Sequence, residues 1–546
     1  MCEQPKEGAG RPLYESAPKI QPEIPARPYL WAAAASYLLA WLYVKKLLLI
    51  NMFTGFWLPV FALLFLAGVE AMARVLHRRA ARETPLWAGC WLVLSCAMPL
   101  WGYQDALGGW QMLVWHLFAV WFVLARCGML AQGYTGSLCF LDGLAGLLVL
   151  PFGNFFRRIG TVFSGLVGLA RHRLKLRQTA VVLGTALITL LLCGTAWQLL
   201  SAADAHFAQI GRQVGDWLAK LLDSRTLAEN FAVFVLSLPV GAWLYGLVAG
   251  SLRRETPPCT GDRFFAALEP LRVLPAVTAN VAVGALCGIY ALFFVMQALE
   301  WFAAAPLGLT APQASSFAVD GFWELLRILL LNFCVLAAVR FLGGRPLPRA
   351  LETVFCLFGL AFALLAGAKL AVYMRLYALT PRRVVAGWFL CVLAVWAVLL
   401  LVRVFRVIPA ARIGLAVLAV GFVLLSCVDL NGRVVQTNIA RYAAGVDRDL
   451  DLDVLQDCGL NPWYRYDQKA WYNGDTRVAN YTRWLIDAGW FRDRSAEDIG
   501  KLYDIDGETF GYEQQVKFGD AGTLRLTFDE TYHCQAVSLT QPENGV

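Results

Sequence analysis

ARIGLAVLAVGFVLLSC (residues 411–427) runs into VDLNGRVVQTNIARYAAGVDRDLDLD (428–453), and the change of character between the two decides the fold. The first string holds one charge, Arg412, whereas the second carries five acids and three arginines. Upstream, from Tyr29 to Cys427, apolar stretches of about 18 to 25 residues recur, each long enough to cross a ~30 Å hydrocarbon core at about 1.5 Å per helical residue. Downstream, residues 429–546 carry 12 Lys and Arg against 20 Asp and Glu, which leaves 35 of the 47 cations and 19 of the 39 acids in the first 428 residues. The chain therefore reads as an all-α polytopic transmembrane helix bundle at 29–427, preceded by a disordered cytosolic leader at 1–28. A small, acidic, soluble α+β domain follows at 428–546.

Composition agrees: 58% hydrophobic residues, 16% charged residues and a mean hydropathy of +0.55 lie outside the range of soluble domains. Apolar runs place spanning helices near 30–49, 53–75, 86–104, 109–127, 178–200, 229–250, 273–298, 318–342, 350–374, 384–405 and 411–427, about eleven in all. Lys45 and Lys46 fall inside the first run and reach an interface by snorkelling. The leader, with Pro12, Pro18, Pro22, Pro25 and Pro28 among mixed charges, lacks the apolar region and cleavage site of a signal peptide. The fourteen cysteines are scattered, with no CxxC. Cys458 and Cys534 lie in the tail and pair if it faces an oxidising compartment, two free thiols being the alternative.

Cations in short loops set the orientation. Arg74, Arg78, Arg79 and Arg82 follow the second helix, residues 157–177 the fourth, Arg253, Arg254 and Arg263 the sixth, and Arg340, Arg345 and Arg349 the eighth. Those loops are expected to be cytoplasmic, and an odd helix count then sends the acidic domain to the extracytoplasmic side. Arg375, Arg382 and Arg383 disagree, because they follow the ninth helix on the outer side.

After the break at Pro151–Gly153, Phe155, Ile159, Val162, Phe163, Leu166 and Leu169 repeat at helical spacing. With Arg157, Arg158, Arg171, Arg173 and Lys175 beside them, they read as an amphipathic membrane-surface helix at about 154–171, or as a helix docked on the bundle. Gly246/Gly250 and Gly284/Gly288 stand at the spacing that lets helices approach closely. Ionisable groups inside apolar segments cost about 2.5–3.5 kcal/mol each on insertion scales, so they mark candidate sites. Asp320, Glu324 and Arg327 share one stripe of the eighth helix. Together with Glu300, Lys369, Arg375 and Arg383 they form a candidate polar pocket in the outer leaflet. The competing reading is a helix cap at Asp320 and an interfacial ion-pair network.

At these residues the chain resembles the bacterial multi-pass membrane proteins known as domain of unknown function 4153, closely related to the 4173 group. Gln297 and Trp301, followed by Ser315-Ser316-Phe317-Ala318-Val319-Asp320-Gly321-Phe322-Trp323-Glu324-Leu325, are similar to a family helix end, loop and helix start, with Asp320 where the family often has Arg. Tyr373-Met374-Arg375-Leu376-Tyr377-Ala378-Leu379-Thr380-Pro381-Arg382-Arg383 resembles the family's Tyr-Gly-Leu-Thr-Pro-x-Arg element, continued by Trp388-Phe389, and Ala378 replaces the usual Gly. Ser201-Ala202-Ala203-Asp204 and Asn438-Ile439-Ala440-Arg441-Tyr442 extend the likeness to roughly residues 140–458. The resemblance implies a bacterial plasma-membrane location and no assigned activity.

In the tail, helices are expected near 479–488 and, capped by Ser495, to Tyr503. Phe510, Tyr512, Gln514, Val516 and Phe518, a turn at 519–522, then Leu524, Leu526 and Phe528 read as a hairpin, with a third strand at 533–539. Trp463, Tyr464, Tyr466, Trp471 and Tyr472 suit a carbohydrate or peptide surface, or core packing. Asp447, Asp449, Asp451 and Asp453 suit a divalent cation, or a solvated face and helix start. His206 beside Asp204 is the one outer-loop acid/base pair. There is no HExxH, GxSxG, P-loop or dinucleotide fingerprint, so no cofactor, metal or nucleic-acid partner is expected. The preferred reading is a non-enzymatic sensor or accessory envelope protein, bounded by the lipid bilayer, whose outer domain binds a protein or glycan ligand. The alternatives are a transporter or channel using the polar cluster, and an enzyme on lipid-linked or cell-wall substrates.

Overall fold

A computed structural model describes residues 27–50, 55–101, 104, 106–173, parts of 185–197, 224–304, 321–460, 474–503, 505 and 511–540, with backbone only at 50, 166–173, 224–226, 300–304 and 474. Among the described residues nine helices are long and apolar enough to cross a membrane, or up to eleven if each of two bent pairs counts as one span. The protein is a multi-pass membrane protein. Most of the expected span at 178–200, the motif at 201–204, His206, Asp320, Lys175 and the aromatic stretch 463–472 lie outside the described residues.

The spans are α1 (Arg27–Leu42, continued by a π-helical turn to Ile50), α2 (Trp57–Val75), α3 (Thr84–Trp101) and α4 (Gly108–Cys127). A bent pair follows, α5 (Cys139–Gly153, with a π-helical turn at Ala145–Val149) and α6 (Arg157–Arg173). Then come α7 (Ser224–Arg253), the short α8 (Gly261–Leu268), α9 (Ala276–Ala304), α10 (Phe322–Leu342), α11 (Arg349–Tyr377), α12 (Pro381–Phe405) and α13 (Ala410–Ser426). Punctuation sets the ends. Gly128 adopts the left-handed conformation that closes α4, and Thr380 caps α12 ahead of Pro381, whose missing N–H costs nothing at a first helical position.

Two packing groups make the bundle. In the first, Phe61 and Phe65 of α2, Trp87 and Trp91 of α3, and Trp115 and Phe118 of α4 interlock, and the Trp115 indole donates to Ser95 Oγ at 2.7 Å. Such a satisfied indole is what burial requires. In the second, Tyr290, Leu329, Phe355 and Phe362 join α9, α10 and α11, with the Tyr290 hydroxyl donating to Asn332 Oδ1 at 2.8 Å. Helix α13 touches both α12 and α3.

Helix α5 was not foreseen in the sequence. Its fifteen residues, with Asp142 near the start and Pro151 near the end, are too short and interrupted to read as a span, and α4 and α7 pack on one side of it while Phe140, Leu148 and Phe152 stay exposed. Gly246 and Gly250 make this approach: a side chain at the first would strike the Pro151 carbonyl and at the second the Asn154 amide, whereas Gly284 and Gly288 face open space. The small-residue reading thus holds for one pair and fails for the other.

Past α13 the chain turns by 65° into α14 (Leu430–Ala443), capped by Asp429, whose carboxylate accepts from Gly432 N. There follow α15 (Leu452–Leu455), α16 (Gly474–Asp487), α17 (Ala496–Tyr503) and an antiparallel sheet in the order β1 (Glu513–Lys517), β2 (Thr523–Phe528), β3 (Cys534–Thr540). Leu524 pairs with Val516 and with Leu539, so the anticipated alternation buries Val516, Leu524, Leu526 and Phe528 against Tyr481, Trp490, Ile499 and Tyr503. Leu379 and Val384, from the α11–α12 junction, pack on the same core. Cys458 and Cys534 are both buried and both free. Burial pushes each thiol up.

Candidate functional site

Where α11 ends, Ala378 takes φ +59° and ψ −177°, a backbone conformation that side chains disfavour. That conformation reverses the chain into Thr380 and α12. Arg383 holds the reversal: its guanidinium donates to the Tyr377 and Ala378 carbonyls at 2.8 and 2.7 Å and lies 4.2 Å over the Tyr373 ring. A cation at a helix C-terminus satisfies carbonyls that have no partner within the helix.

The C-terminal domain grips the same loop. The Asn438 side chain, buried on α14, accepts from Leu379 N at 3.0 Å and donates to Leu379 O at 2.9 Å, as a neighbouring strand would. One turn on, Arg441 donates to the Arg375 carbonyl and forks onto Asp447, all at 2.7 Å. From α16, buried Arg477 donates to the Trp101 carbonyl at the end of α3, and the Trp101 indole donates to Cys427 O at 2.9 Å. Three helix ends of the bundle are thereby tied to one soluble domain.

Between these ties lies a half-open cleft of about 190 Å³, lined by Ala106, Thr380, Pro381, Arg382, Asn431, Val454 and Asp457. Arg382 and Asp457 put opposite charges on its rim. Asn431 is 1% exposed, and its Nδ2 donates to no acceptor among the described residues. Gln104, two residues before Ala106, is equally buried, with Oε1 unpaired among the described residues. Buried amides lacking partners are costly, and one of the two, Asn431, lines the cleft.

A family model described as Domain of unknown function (DUF4153) matches residues 88–462. The chain belongs to this family. The match takes in every residue that lines the cleft and both Asn438 and Arg441, and it stops before Arg477 and the sheet. No curated protein and no solved structure matches the chain.

Five of the seven residues of the expected pocket are described in this DUF4153 member, and their side chains take different settings. Glu324 and Arg327 form a 3.6 Å ion pair with side chains 61% and 76% exposed, on an outward face of α10. Lys369 is buried, with its ammonium beside Gly321, whose φ of +95° and lack of a side chain make room for it. Arg375 contributes its carbonyl and Arg383 its capping guanidinium. Asp320 and the side chain of Glu300 lie outside the described residues. The aspartates that alternate at 447–453 go to separate tasks: Asp447 to Arg441, Asp449 to Arg494 at 2.5 and 2.8 Å, Asp451 to the cap of α15, and Asp453 to Lys501 at 3.7 Å. Among the described residues no three acids, histidines or cysteines gather as a metal site. Sequence reasoning missed Asn431, Gln104 and Arg477. The only signal was the Asp429–Gly432 turn that starts α14, and it carries no information about the loop it meets.

Proposed function

We propose that the protein is a non-enzymatic bacterial plasma-membrane protein, a sensor or accessory subunit with a cytoplasmic amino terminus and an extracytoplasmic C-terminal domain. Its cleft seats a polar group of an envelope protein or glycan. The observation that carries the reading is the make-up of the cleft: its walls come from the α3–α4 loop, the α11–α12 junction and the soluble domain together. A group bound there contacts the domain and two helix ends at once, so its binding energy can shift one against the other. About 190 Å³ suits one sugar ring or one peptide side chain, an element of a larger ligand. The arginine-rich loops at the opposite helix ends support the orientation. Transport gains no support, because Glu324 and Arg327 are exposed while Lys369 is buried.

The test is a photo-crosslinking residue placed at Asp457 in living cells, together with impermeant thiol labelling of Asp457→Cys and Arg345→Cys. The expected outcome is labelling at 457, protection at 345, and a discrete envelope product that Asn431→Ala abolishes. Protection at 457 would overturn the orientation. A product indifferent to Asn431→Ala would overturn the cleft. Native Cys458 is unsuited to this labelling, since its thiol is fully buried.

A further inference from the structure

Side chains knit together the end of the bundle that lies away from the soluble domain. Arg158, expected at the membrane surface, donates instead to Ala33 O and Ser36 Oγ of α1, each at 3.2 Å, and Arg157 is buried as well. The busiest joint there is the loop 128–138 between α4 and α5. Its Thr135 donates to Glu83, the residue before α3, through its hydroxyl and through its N–H at 2.8 Å. The Trp87 indole donates to the same carboxylate at 3.2 Å, and Arg412 of α13 lies 3.5 Å from its other oxygen. Gly261 N, at the start of α8, donates to Ala131 O at 2.8 Å. Glu83, 6% exposed, is thus buried with a cation and three donors.

Asp142 on α5 is buried without them. It is 1% exposed, its Oδ1 accepts from Ala131 N at 2.7 Å, and its Oδ2 meets no donor among the described residues. No cation pairs with it there, and the charged group that acts on it is Glu83, another acid. The titratable groups around it are Cys139 on its own helix and Cys259 before α8. Of the cations on the surrounding elements, Arg263 of α8 acts on Cys259, Arg412 of α13 is taken by Glu83, and Arg126 at the end of α4 is taken by Glu70. Gln132 Oε1, in the same loop, is a second buried acceptor without a donor among the described residues. A charge on Asp142 would lose its water and face a like charge, and a carboxyl avoids both costs by keeping its proton. A proton on Oδ2 also removes one of the two unmet acceptors.

We propose that Asp142 is a proton-binding site, held as the neutral acid in the folded protein. Loss of that proton brings a second negative charge within reach of Glu83 and loosens the joint among α3, α4, α5, α8 and α13. The site stands apart from the cleft and does not depend on which compartment either end faces. A carboxyl that is neutral in the fold and ionised in the unfolded chain gives up a proton on unfolding. Its stabilisation is therefore complete below the unfolded value of about 3.9 and is lost as pH rises through the folded value, which lies above it.

The experiment uses the full chain in neutral detergent, as wild type and as Asp142→Asn, whose amide copies the neutral acid. Infrared spectra near neutral pH should show the carbonyl stretch of a protonated carboxyl, lost in Asp142→Asn and displaced in Asp142→Glu. Between roughly pH 5 and pH 8 the unfolding equilibrium of the wild type should worsen relative to Asp142→Asn by up to about tenfold per pH unit. Asp142→Ala, which strands Ala131 N, should be less stable than Asp142→Asn at every pH. The absence of the stretch near neutral pH, its survival in Asp142→Asn, or parallel pH profiles of wild type and Asp142→Asn would each overturn the site. Should Asp142→Asn not fold, the wild-type stretch and its displacement in Asp142→Glu decide the matter. If sodium or potassium chloride abolished the stretch and raised the melting temperature of the wild type but not of Asp142→Asn, the oxygen would hold a metal cation and the proton assignment would fall.

Discussion

Ala378→Gly should stabilise this protein, against the usual effect of introducing glycine. At φ +59° and ψ −177° an alanine Cβ presses on its own backbone, in a region populated almost only by glycine, at a cost on the order of 1–3 kcal/mol. The backbone cannot relax cheaply. The Ala378 carbonyl is held by Arg383, the next residue by both polar atoms of Asn438, and the following threonine by its capping bond to Arg383 N. Glycine removes the clash and makes the unfolded chain more flexible, which takes back roughly 0.4–1 kcal/mol. The net gain is about 0.5–2 kcal/mol, seen as a rise of roughly one to a few degrees in apparent melting temperature in detergent. Hydrogen exchange should slow at Leu379 N, whose bond to Asn438 reports the loop directly. Ala378→Val, with a branched β-carbon in the same conformation, should move both readouts the opposite way. If glycine lowered the melting temperature, or valine matched alanine, the backbone at 378 would not be strained and the junction would owe nothing to its shape.

Asn438→Leu would keep the volume but strand the Leu379 N–H and carbonyl in a buried place, costing about 2–4 kcal/mol, and limited proteolysis should then cut within the loop at 377–381. Survival of the loop at wild-type rates would mean the amide pairing is incidental. Replacing Arg477 with Met should loosen the soluble domain from α3 by about 1–3 kcal/mol, read as faster exchange across 474–487; unchanged exchange would show that the Trp101 contact holds nothing. Acidification gives a third check. For Asp449, burial opposes ionisation, but the Arg494 fork and Leu450 N outweigh it and the carboxyl stays lowered; Asp529 is lowered by His533 N and the Thr531 hydroxyl. Both folded values lie below the unfolded value of about 3.9, so their contribution is complete above about pH 4 and is lost as pH falls through the folded values. Protease resistance of 474–540 should therefore decline below about pH 4, and a flat profile to about pH 2.5 would contradict these assignments.

Hydropathy and period-two alternation made the spans and the hairpin legible, because each depends on the residues of one segment. The helix at 139–153 was not, because its close packing is supplied by glycines a hundred residues later, at 246 and 250. The polar stripe of α10 shows the same limit: helical spacing aligned Glu324 with Arg327, but which way that stripe faces depends on how α10 sits on α9 and α11. The cleft is less legible still. Asn431, Thr380 and Ala106 come from three segments spread over more than three hundred positions, and no local pattern marks them as neighbours. The three cations at 375–383 break charge bias under the orientation expected from the sequence, and the structure places two of their guanidinium groups at the junction with the C-terminal domain. Arg383 is absorbed by carbonyls at the end of α11, and Arg382 lines the cleft together with Asp457, whereas Arg375 meets the domain through its backbone carbonyl. Charge bias acts on cations free to meet the membrane surface, so cations engaged in a protein junction fall outside it. Under the expected orientation, cations that break the topology rule in a short loop point to an interface, and these lie among the residues that join the bundle to its domain.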